Sequence, residues 1–229
     1  MSNWSRREKK EVKSEKRNGI LELNQMTGDK GVKMNYTRQI NEFQAITDGE
    51  KSDKQIIQDY IKLIGDEILY RKSQLAHITS SGFILNPSMT KTLMVHHNIY
   101  QTWAWTGGHA DGDADLLEIA IKEAKEETGI QTVVPLTNKM LSLDILTVKG
   151  HYKNGIYIST HLHLSAAYVL IACEDEALSI RPGENSNVAW INVEEIDAKS
   201  GEAEIIPVYH KLYERAIAIE SAKTKRADI

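Results

Sequence analysis

The sequence has 229 residues, a net charge of −4, 41% hydrophobic residues and 26% charged residues, a composition typical of one globular domain with short appendages. A single cysteine, Cys173, excludes an intrachain disulfide, and the longest apolar run, Leu164–Cys173, is too short to span a bilayer. No apolar segment follows the basic N-terminal residues, so we expect no secretory signal, no membrane partner and a cytoplasmic location.

Charge is distributed unevenly along the chain. Residues 1–33 hold nine Lys/Arg and five Asp/Glu, a net of +4, so residues 34–229 carry −8. The basic segment is predicted to be a solvated, disordered tail that is dispensable for folding and catalysis. An arm that binds nucleic acid or an anionic surface is the alternative. The acidic remainder gives no strong nucleic-acid signal.

Two helices are predicted before the first strand, so residues 34–75 are expected to form a helical segment that packs on the domain. The first is a short helix over Tyr36–Ile46. Ser52 and Gln55 have the spacing of a capping box and precede apolar residues at helical period, which predicts a second helix over Asp53–Tyr70.

Strands and helices alternate in the rest of the chain. Six segments have strand patterns bounded by turn residues: Ala76–Leu85, Thr90–His97, Thr102–Trp105, Lys139–Val148, Thr160–Cys173 and Asn187–Asn192. Pro207 begins a C-terminal helix, and its predicted apolar face holds Val208, Leu212, Ala216 and Ile217. This mixture predicts an α/β (α+β) fold with helices layered on a sheet, although the strand order does not follow from it.

A further helix is predicted between a strong start signal and a strong stop signal. Asp113 or Asp115 caps its start, and Asp115 with Glu118 repeats the capping-box spacing. Gly129 lies at the position after the last helical residue, where glycine commonly ends a helix. The predicted apolar stripe of this helix holds Leu117, Ala120, Ile121 and Ala124.

Glu123, Glu126 and Glu127 lie at positions i, i+3 and i+4 of this helix, so their carboxylates are neighbours. Like charges at this spacing repel by about 0.2–0.5 kcal/mol per pair in an isolated helix. A hard divalent cation such as Mg²⁺ or Mn²⁺, which prefers oxygen ligands, turns the repulsion into attraction. The three residues are therefore candidate metal ligands and candidate catalytic residues.

Gly107 and Gly108 precede the helix and add backbone groups to this candidate site. Glycine lets the main chain approach a ligand closely and exposes carbonyl groups to a metal or amide groups to phosphate. A metal that bridges two phosphoryl oxygens neutralises charge and lowers the pKa of a bound water that attacks phosphorus.

The stretch Gly108–Ile130, GHADGDADLLEIAIKEAKEETGI, resembles the Nudix box, G-x5-E-x7-R-E-U-x-E-E-x-G-U with U aliphatic. The residues that match in register are Gly108, Glu123, Glu126, Glu127, Gly129 and Ile130, and Ala124 is a small apolar stand-in at the first U position. Ala114 stands where the family has its first glutamate, and Lys122 stands where it has arginine. The resemblance implies a family domain over about Ala76–Ile206, within a predicted domain of residues 76–229 that includes the C-terminal helix.

The resemblance implies an α/β/α sandwich with a mixed sheet. It also implies hydrolysis of a nucleoside diphosphate linked to another group, with Mg²⁺ or Mn²⁺ as cofactor. Glu123, Glu126 and Glu127 would bind the metal, one of them would act as base, and the Gly108 carbonyl would be a further ligand.

The two departures bear on the loop before the helix. In many members of the family the missing glutamate and arginine pair and brace this loop, so the resemblance implies a less firmly held loop here. We expect Lys122 to reach Asp113 or Asp115 instead, in a partly exposed pair worth about 0–1 kcal/mol. A weakened or non-catalytic member of the family is the alternative.

Three residues outside the box are candidates for substrate binding. Trp105 shares a predicted strand face with Trp103 and would stack on a nucleobase or pack in the core. His163 and His161 point to the same strand face and would contact phosphate or base, or serve as structural histidines. Glu184 lies in a predicted loop and would supply an extra ligand or base, or be an ordinary surface acid.

The favoured function is a metal-dependent pyrophosphohydrolase acting on a small molecule, such as a nucleotide or sugar nucleotide, because all three box glutamates are present. A Nudix module that binds a nucleotide without turnover is the alternative. A diphosphate isomerase on the same fold is weaker, because the only cysteine, Cys173, lies in a predicted buried strand. Substrate identity does not follow from the sequence, which also leaves a homodimer open.

Overall fold

Residues 35–153 and 155–227 are described by the computed structural model of the chain. The predicted tail, residues 1–33, lies outside them. The described residues form a mixed sheet with helices on both faces, as predicted. No helix in these two segments is long and apolar enough to cross a membrane.

Ten strands occur in the described segments. In chain order they are β1 Ala76–Leu85, β2 Lys91–His97, β3 Thr102–Ala104, β4 Thr106–His109, β5 Val133–Pro135, β6 Ser142–Val148, β7 His151–Lys153, β8 Ile156–Ile158, β9 His161–Ala172 and β10 Asn185–Asn192. Strands β7 and β8 form a separate hairpin, and the other eight form one sheet. Its order is β10-β2-β1-β9-β5, with β3 beside β2, β4 beside β1 and β6 beside β9.

The parallel pair of β1 and β9 lies at the centre of the sheet, and the other strand pairs are antiparallel. All ten residues of β1 are buried, as expected for a strand covered on both faces. Its antiparallel partner β4 places Gly108 opposite Ser80. The glycine loop is therefore held by a central strand.

Five α-helices accompany the sheet in the described residues: α1 Tyr36–Glu42, α2 Asp48–Ile64, α3 Leu116–Thr128, α4 Ile196–Lys199 and α5 Ile206–Ala227. Short 3-10 turns at Gly65–Leu69 and Val193–Glu195 follow α2 and precede α4. The helix predicted over Tyr36–Ile46 is present but ends at Glu42.

The second predicted helix has the wrong bounds. Thr47 caps α2, with its side chain accepting from the Glu50 amide while the Glu50 side chain accepts from the Thr47 amide. This capping box lies one turn before the predicted pair, Ser52 and Gln55, which are inside the helix. The helix ends at Ile64 because Gly65 has a φ of 59° and breaks the helical path.

Alternate residues of β9 point to two separate cores, one on each face of the sheet. Leu164, Ala166 and Tyr168 pack with residues of α1, α2 and α3. Ala167 and Val169 pack on the other face with residues of α5. This period-2 division explains why the long apolar run of β9 is a strand between two helical layers rather than a strand with one solvated face.

Two expectations near the ends of elements are wrong. Val208, Leu212 and Ala216 of α5 are buried as predicted, but Ile217 is 39% exposed, and Tyr209 takes its place in the buried stripe. Cys173 is exposed, because β9 ends one residue earlier at Ala172.

A buried ion network holds α2 and α5 together. Arg215 donates two hydrogen bonds to the Glu50 carboxylate, at 2.7 and 2.8 Å, and one to the Leu141 carbonyl. Lys211 lies 3.2 Å from Glu50 and also pairs with Asp144. Burial acts to raise the pKa of Glu50, but hydrogen bonds from Arg215 and the backbone and the Lys211 charge outweigh it, so that its pKa is about 2. The carboxylate therefore stays charged inside the protein.

Candidate active site

Helix α3 begins and ends where the sequence predicts. The Asp115 side chain accepts a hydrogen bond from the Glu118 amide at 3.4 Å and caps the first turn. Gly129 has a φ of 80°, and its amide donates to the Lys125 carbonyl. These two caps fix the position of the glutamates along the helix relative to the preceding loop.

The predicted buried stripe of α3 is half correct, because Ala120 and Ala124 are buried as predicted but Leu117 and Ile121 are not the other members of the observed stripe. Its fully buried apolar members are Leu116, Ile119, Ala120 and Ala124. Leu117 and Ile121 are only partly buried. As a result, Glu127 is 8% exposed and the Glu123 side chain 13% exposed, while Glu126 is exposed. The three carboxylates therefore run from the protein interior to the surface.

Burial leaves two of these carboxyl groups poorly solvated. Burial first, and then the Glu123 charge, raises the pKa of Glu127 to about 8. The pKa of Glu123 is also raised, mainly by burial. Neighbouring acids with raised pKa values are typical of functional sites. The donor set consists of oxygen atoms that lack enough positive charge nearby, and this fits Mg²⁺ or Mn²⁺.

The glycine loop approaches the glutamates more closely than any other residue type would allow. A Cβ on Gly108 would lie 2.5 Å from Cδ of Glu123, and a Cβ on Gly107 would lie 2.5 Å from Oγ of Ser81. The Gly107 amide also donates to Oε1 of Glu127 at 3.5 Å. The backbone of Gly108 is therefore placed directly beside the Glu123 carboxylate.

Arg181 is a cation that contacts the carboxylates of Glu123 and Glu126 from a separate loop. Its Nη1 lies 3.2 Å from Oε2 of Glu123, 3.0 Å from Oε2 of Glu126 and 3.3 Å from Oε2 of Glu184. The loop acid Glu184 is thus brought to the box glutamates through a shared guanidinium group.

The loop that carries Arg181 is fixed to the end of α3. The buried Asn185 donates through Nδ2 to the Glu127 carbonyl at 2.9 Å, and its Oδ1 accepts from the Arg181 amide at 3.0 Å. One side chain therefore joins the helix that bears the carboxylates to the loop that bears the guanidinium group.

The loop before α3 is not held by the predicted contact from Lys122. Lys122 lies 3.8 Å from Glu126, so its predicted pairing with Asp113 or Asp115 is wrong. Asp115 is engaged as the helix cap, and Asp113 accepts from the Asp115 amide.

Arg71 supplies the brace instead. Its guanidinium group donates to both carboxylate oxygens of Asp111, at 2.9 and 2.6 Å. The Gly112 amide donates to the Leu69 carbonyl at 3.1 Å. Ala114, at the position of the missing glutamate, is partly buried and packs against the apolar core. The loop is held by the segment after α2 rather than by the helix itself.

A cavity of about 490 Å³ opens beside this loop. Gly107 and Gly108 form part of its wall, and two predicted substrate-binding residues, Trp105 and His163, line it as well. The Trp105 ring also packs edge-on against Tyr209, at 5.4 Å between ring centroids. Trp105 therefore packs on a core residue and also lines the cavity, and its stacking on a nucleobase stays a prediction.

Four histidines meet at one end of the cavity. The predicted pair, His161 and His163, lies with ring centroids 5.2 Å apart. His77 from the start of β1 and His109 from the end of β4 join them, and each has its ring centroid 4.9–5.2 Å from that of His163. Burial, and then the charges of neighbouring histidines, lowers the pKa of His163 to about 2, and burial lowers that of His77.

Sequence reasoning missed Arg71, Arg181, His77 and His109 as site residues. Arg71, Arg181 and His77 lie outside the box and reach the site only through the pairing of distant segments. His109 follows Gly108 directly in the sequence, but its contact with His77 and His163 also depends on strand pairing. The register of β1 with β9 places His77 beside the predicted residue His163, but no sequence signal gives that register.

Comparisons with known proteins agree with this architecture. The model of the NUDIX domain matches residues 76–212. The structure is similar to a C. elegans Ap4A hydrolase binary complex, with 15% identity, a TM-score of 0.44 and coverage of 62% of this chain and 98% of that chain. It is also similar to a NUDIX-family hydrolase from Clostridium perfringens, with 22% identity, a TM-score of 0.44 and coverage of 60% and 96%. No curated protein matches the sequence. The match to the domain model covers more than half of the chain, which therefore belongs to the Nudix family.

Proposed function

We propose that this protein is a metal-dependent pyrophosphohydrolase. It would cleave the pyrophosphate bond of a nucleoside diphosphate linked to another group, such as a second nucleotide or a sugar. The observation that carries the proposal is the buried pair of Glu123 and Glu127, whose carboxyl groups have raised pKa values and lie against a two-glycine loop. A protein without a cation ligand gains nothing from this arrangement, because it costs stability.

Glu123, Glu126 and Glu127 are the proposed metal ligands, with the Gly108 carbonyl as a further one. When Mg²⁺ or Mn²⁺ is bound, it supplies charge neutralisation at the phosphates and lowers the pKa of water. One glutamate of the three accepts the proton of the water that attacks phosphorus. The bond from phosphorus to the bridging oxygen then breaks, and two phosphorylated products leave.

Arg181 is the chain's own anion-binding group at this site. It bridges Glu123 and Glu126, two of the carboxylates that would bind the metal. A planar guanidinium group is also well suited to binding phosphate oxygens. We expect it to turn from the glutamates to a substrate phosphate when the metal binds. Glu184, the third carboxylate that pairs with Arg181, would also lose this pairing when Arg181 turns to the phosphate.

The substrate's organic part is proposed to lie in the 490 Å³ cavity. Trp105 provides an aromatic face for a nucleobase, and His163 provides a neutral imidazole for a polar group. The cavity and the carboxylates meet at Gly108, which lines the first and touches the second. A diphosphate at Gly108 would therefore join the two parts of the site.

Arg181 also favours the second candidate, a module that binds a nucleotide without turnover. Its guanidinium group already pairs with Glu123, Glu126 and Glu184, so the cluster has one cation without any metal. In that case phosphate would bind to a site that never assembles a catalytic ion.

A substrate panel distinguishes the two functions. Nucleotides, dinucleoside polyphosphates and sugar nucleotides are incubated with Mg²⁺ or Mn²⁺, and released phosphate or monophosphate is measured. We expect turnover of at least one diphosphate-linked compound that is abolished by EDTA. Thermal stabilisation by a nucleotide with no turnover of any compound would support the binding module instead.

Replacing Gly108 by alanine tests whether the close approach of the loop matters. The new Cβ would lie 2.5 Å from Cδ of Glu123, so the carboxylate must move by several tenths of an ångström or more. We expect kcat for the panel substrate to fall by about tenfold to a hundredfold, since small displacements of catalytic groups have effects of that size. The melting temperature should change little, because the obstructing atom is on a side chain.

Gly49→Ala is the matched control. Its Cβ would meet only Oγ1 of Thr47, at an ordinary distance of 3.9 Å, on a helix far from the box in sequence. Full activity of Gly108→Ala, or an equal loss in Gly49→Ala, would contradict the role given to the loop.

A further inference from the structure

The four histidines of the cavity form a cluster that the proposed hydrolysis does not require. Three of them, His77, His109 and His163, each offer a ring nitrogen, and these three nitrogens all lie within 4.8 Å of one another. They come from three different strands, β1, β4 and β9, which are neighbours in the central sheet. The cluster is therefore held by three strands of one sheet, with β1 paired to both β4 and β9.

His77 is held in the orientation and tautomer that a metal ligand needs. Its Nδ1 lies 3.1 Å from the Ser73 carbonyl, so this nitrogen carries the proton and donates. The lone pair is then on Nε2. A hydrogen bond from the second ring nitrogen to a carbonyl is the usual way in which proteins orient histidine ligands.

Two nitrogen atoms in the cluster are buried and unsatisfied. His77 is only 4% exposed. Within the described part of the chain, neither Nε2 of His77 nor Nε2 of His163 has a hydrogen-bond partner. A buried polar atom without a partner costs about 1–3 kcal/mol, and native proteins seldom keep two of them together without a ligand. Both atoms belong to the same three-residue group.

We propose that His77, His109 and His163 bind a transition-metal cation such as Zn²⁺, separate from the hard cation of the glutamate site. Imidazole nitrogen suits Zn²⁺, Cu²⁺ and Ni²⁺, whereas carboxylate oxygen suits Mg²⁺ and Mn²⁺. In tetrahedral Zn²⁺ coordination the ligand nitrogens are about 3.3 Å apart, from bond lengths of about 2.05 Å. Small rotations of the rings would bring the three nitrogens to that separation.

Three-histidine zinc sites keep a fourth position for water or a ligand. All three residues line the cavity, so that position would be accessible to a molecule within it. The ligand class expected there is an anionic oxygen, such as one from a phosphate or carboxylate group. His163 would then act on a cavity ligand through the ion rather than by direct contact.

Cobalt substitution tests the site with an optical signal that needs no substrate. Co²⁺ is titrated into the full chain and into the Glu123→Gln/Glu127→Gln variant, in which the glutamate site is disabled. We expect the visible absorption bands of tetrahedral nitrogen coordination in both proteins, and displacement of that Co²⁺ by Zn²⁺. The glutamate variant should bind one Co²⁺ per chain, while the wild type should also bind Co²⁺ at its carboxylates without adding to the tetrahedral bands. This outcome is independent of whether the protein hydrolyses any substrate.

Histidine variants identify the ligands. We expect His109→Gln and His163→Gln each to weaken Co²⁺ binding by at least about a hundredfold, because removing a ligand exceeds the tenfold to hundredfold effect of an outer-shell change. His161→Gln is the matched control: its ring adjoins the cluster at 5.0 Å from His77, but it is not one of the three ligands. It should bind Co²⁺ within about threefold of the wild type, and circular dichroism checks that each variant is folded.

Absence of the tetrahedral bands in the wild-type protein would overturn the proposal. So would loss of the bands in the glutamate variant, since the ion would then lie at the carboxylates. Equal Co²⁺ binding by the wild type, His109→Gln and His163→Gln would show that the ligand set is wrong. A loss of affinity in His161→Gln as large as in those two variants would show the same.

Discussion

Glu123→Gln and Glu127→Gln are each expected to lower kcat by at least about a hundredfold. Each change keeps the size of the side chain but removes the charge that would hold the cation against developing charge on the phosphates. The effect should appear mainly in kcat, because the cavity and its aromatic wall are unchanged. Steady-state kinetics with the best compound of the substrate panel provides the measurement.

Glu118→Gln is the control for this pair. It removes the same charge from the same helix at an exposed position, and the Asp115 cap uses the backbone amide of residue 118 rather than its side chain. Turnover close to that of the wild type in Glu123→Gln and Glu127→Gln, or an equal loss in Glu118→Gln, would remove the basis for assigning metal to this face.

Stability without metal should move in the opposite direction to activity. The pKa of Glu127 is raised from 4.5 to about 8 in the folded protein, so folding favours its protonated form. Such a group leaves stability unaffected below about pH 4.5 and lowers it progressively as the pH rises toward 8. Glu127→Gln, which mimics the neutral acid, should therefore melt at the same temperature as the wild type near pH 4 and above it at pH 8, in the presence of EDTA.

The second large effect concerns folding rather than chemistry. Arg215→Met should lower the free energy of unfolding by about 3 kcal/mol, near the lower end of the range for breaking one partner of a buried ion pair. Glu50 is 3% exposed and would lose both hydrogen bonds of the guanidinium group, while Lys211 would remain as a charged partner. Urea denaturation at pH 7 measures the loss.

A double variant separates the pair from the packing around it. Glu50→Gln/Arg215→Met removes both charges and should recover a large part of the loss, because no carboxylate remains buried without its partner. Arg38→Met is the surface control: it breaks an exposed pair with Glu42 and should change stability by less than about 1 kcal/mol. A loss in Arg215→Met no larger than that of Arg38→Met would show that the network does not hold α2 to α5.

Local signals in the sequence predicted the elements that carry the box. Capping at Asp115, the stop at Gly129 and the spacing of the glutamates define α3 without reference to the rest of the chain. The strand over Ala76–Leu85 was predicted with the observed bounds, because apolar and β-branched residues end there at a clear turn signal. The alternating elements indicated helices layered on a sheet, and the resemblance to the Nudix box implied the mixed sheet with helices on both faces.

Contacts between distant segments could not be predicted from the sequence, for a physical reason. Arg181 reaches the glutamates across 58 positions, and Arg71 reaches Asp111 across 40. No periodicity links such pairs, since their meeting depends on the strand order. The buried stripe of α3 was predicted only in part. The helix carries enough apolar residues to define two stripes that share Ala120 and Ala124, and only packing against β1 and β4 selects one of them.

Binding of Mn²⁺ to the glutamate face is the most direct test of the proposed function. Electron paramagnetic resonance follows free Mn²⁺ during titration of the wild type, Glu123→Gln, Glu127→Gln and Glu118→Gln. We predict that the wild type and Glu118→Gln bind Mn²⁺ alike, while Glu123→Gln and Glu127→Gln bind it at least about tenfold more weakly. Equal affinity in all four proteins would contradict the claim that these carboxylates hold the catalytic ion.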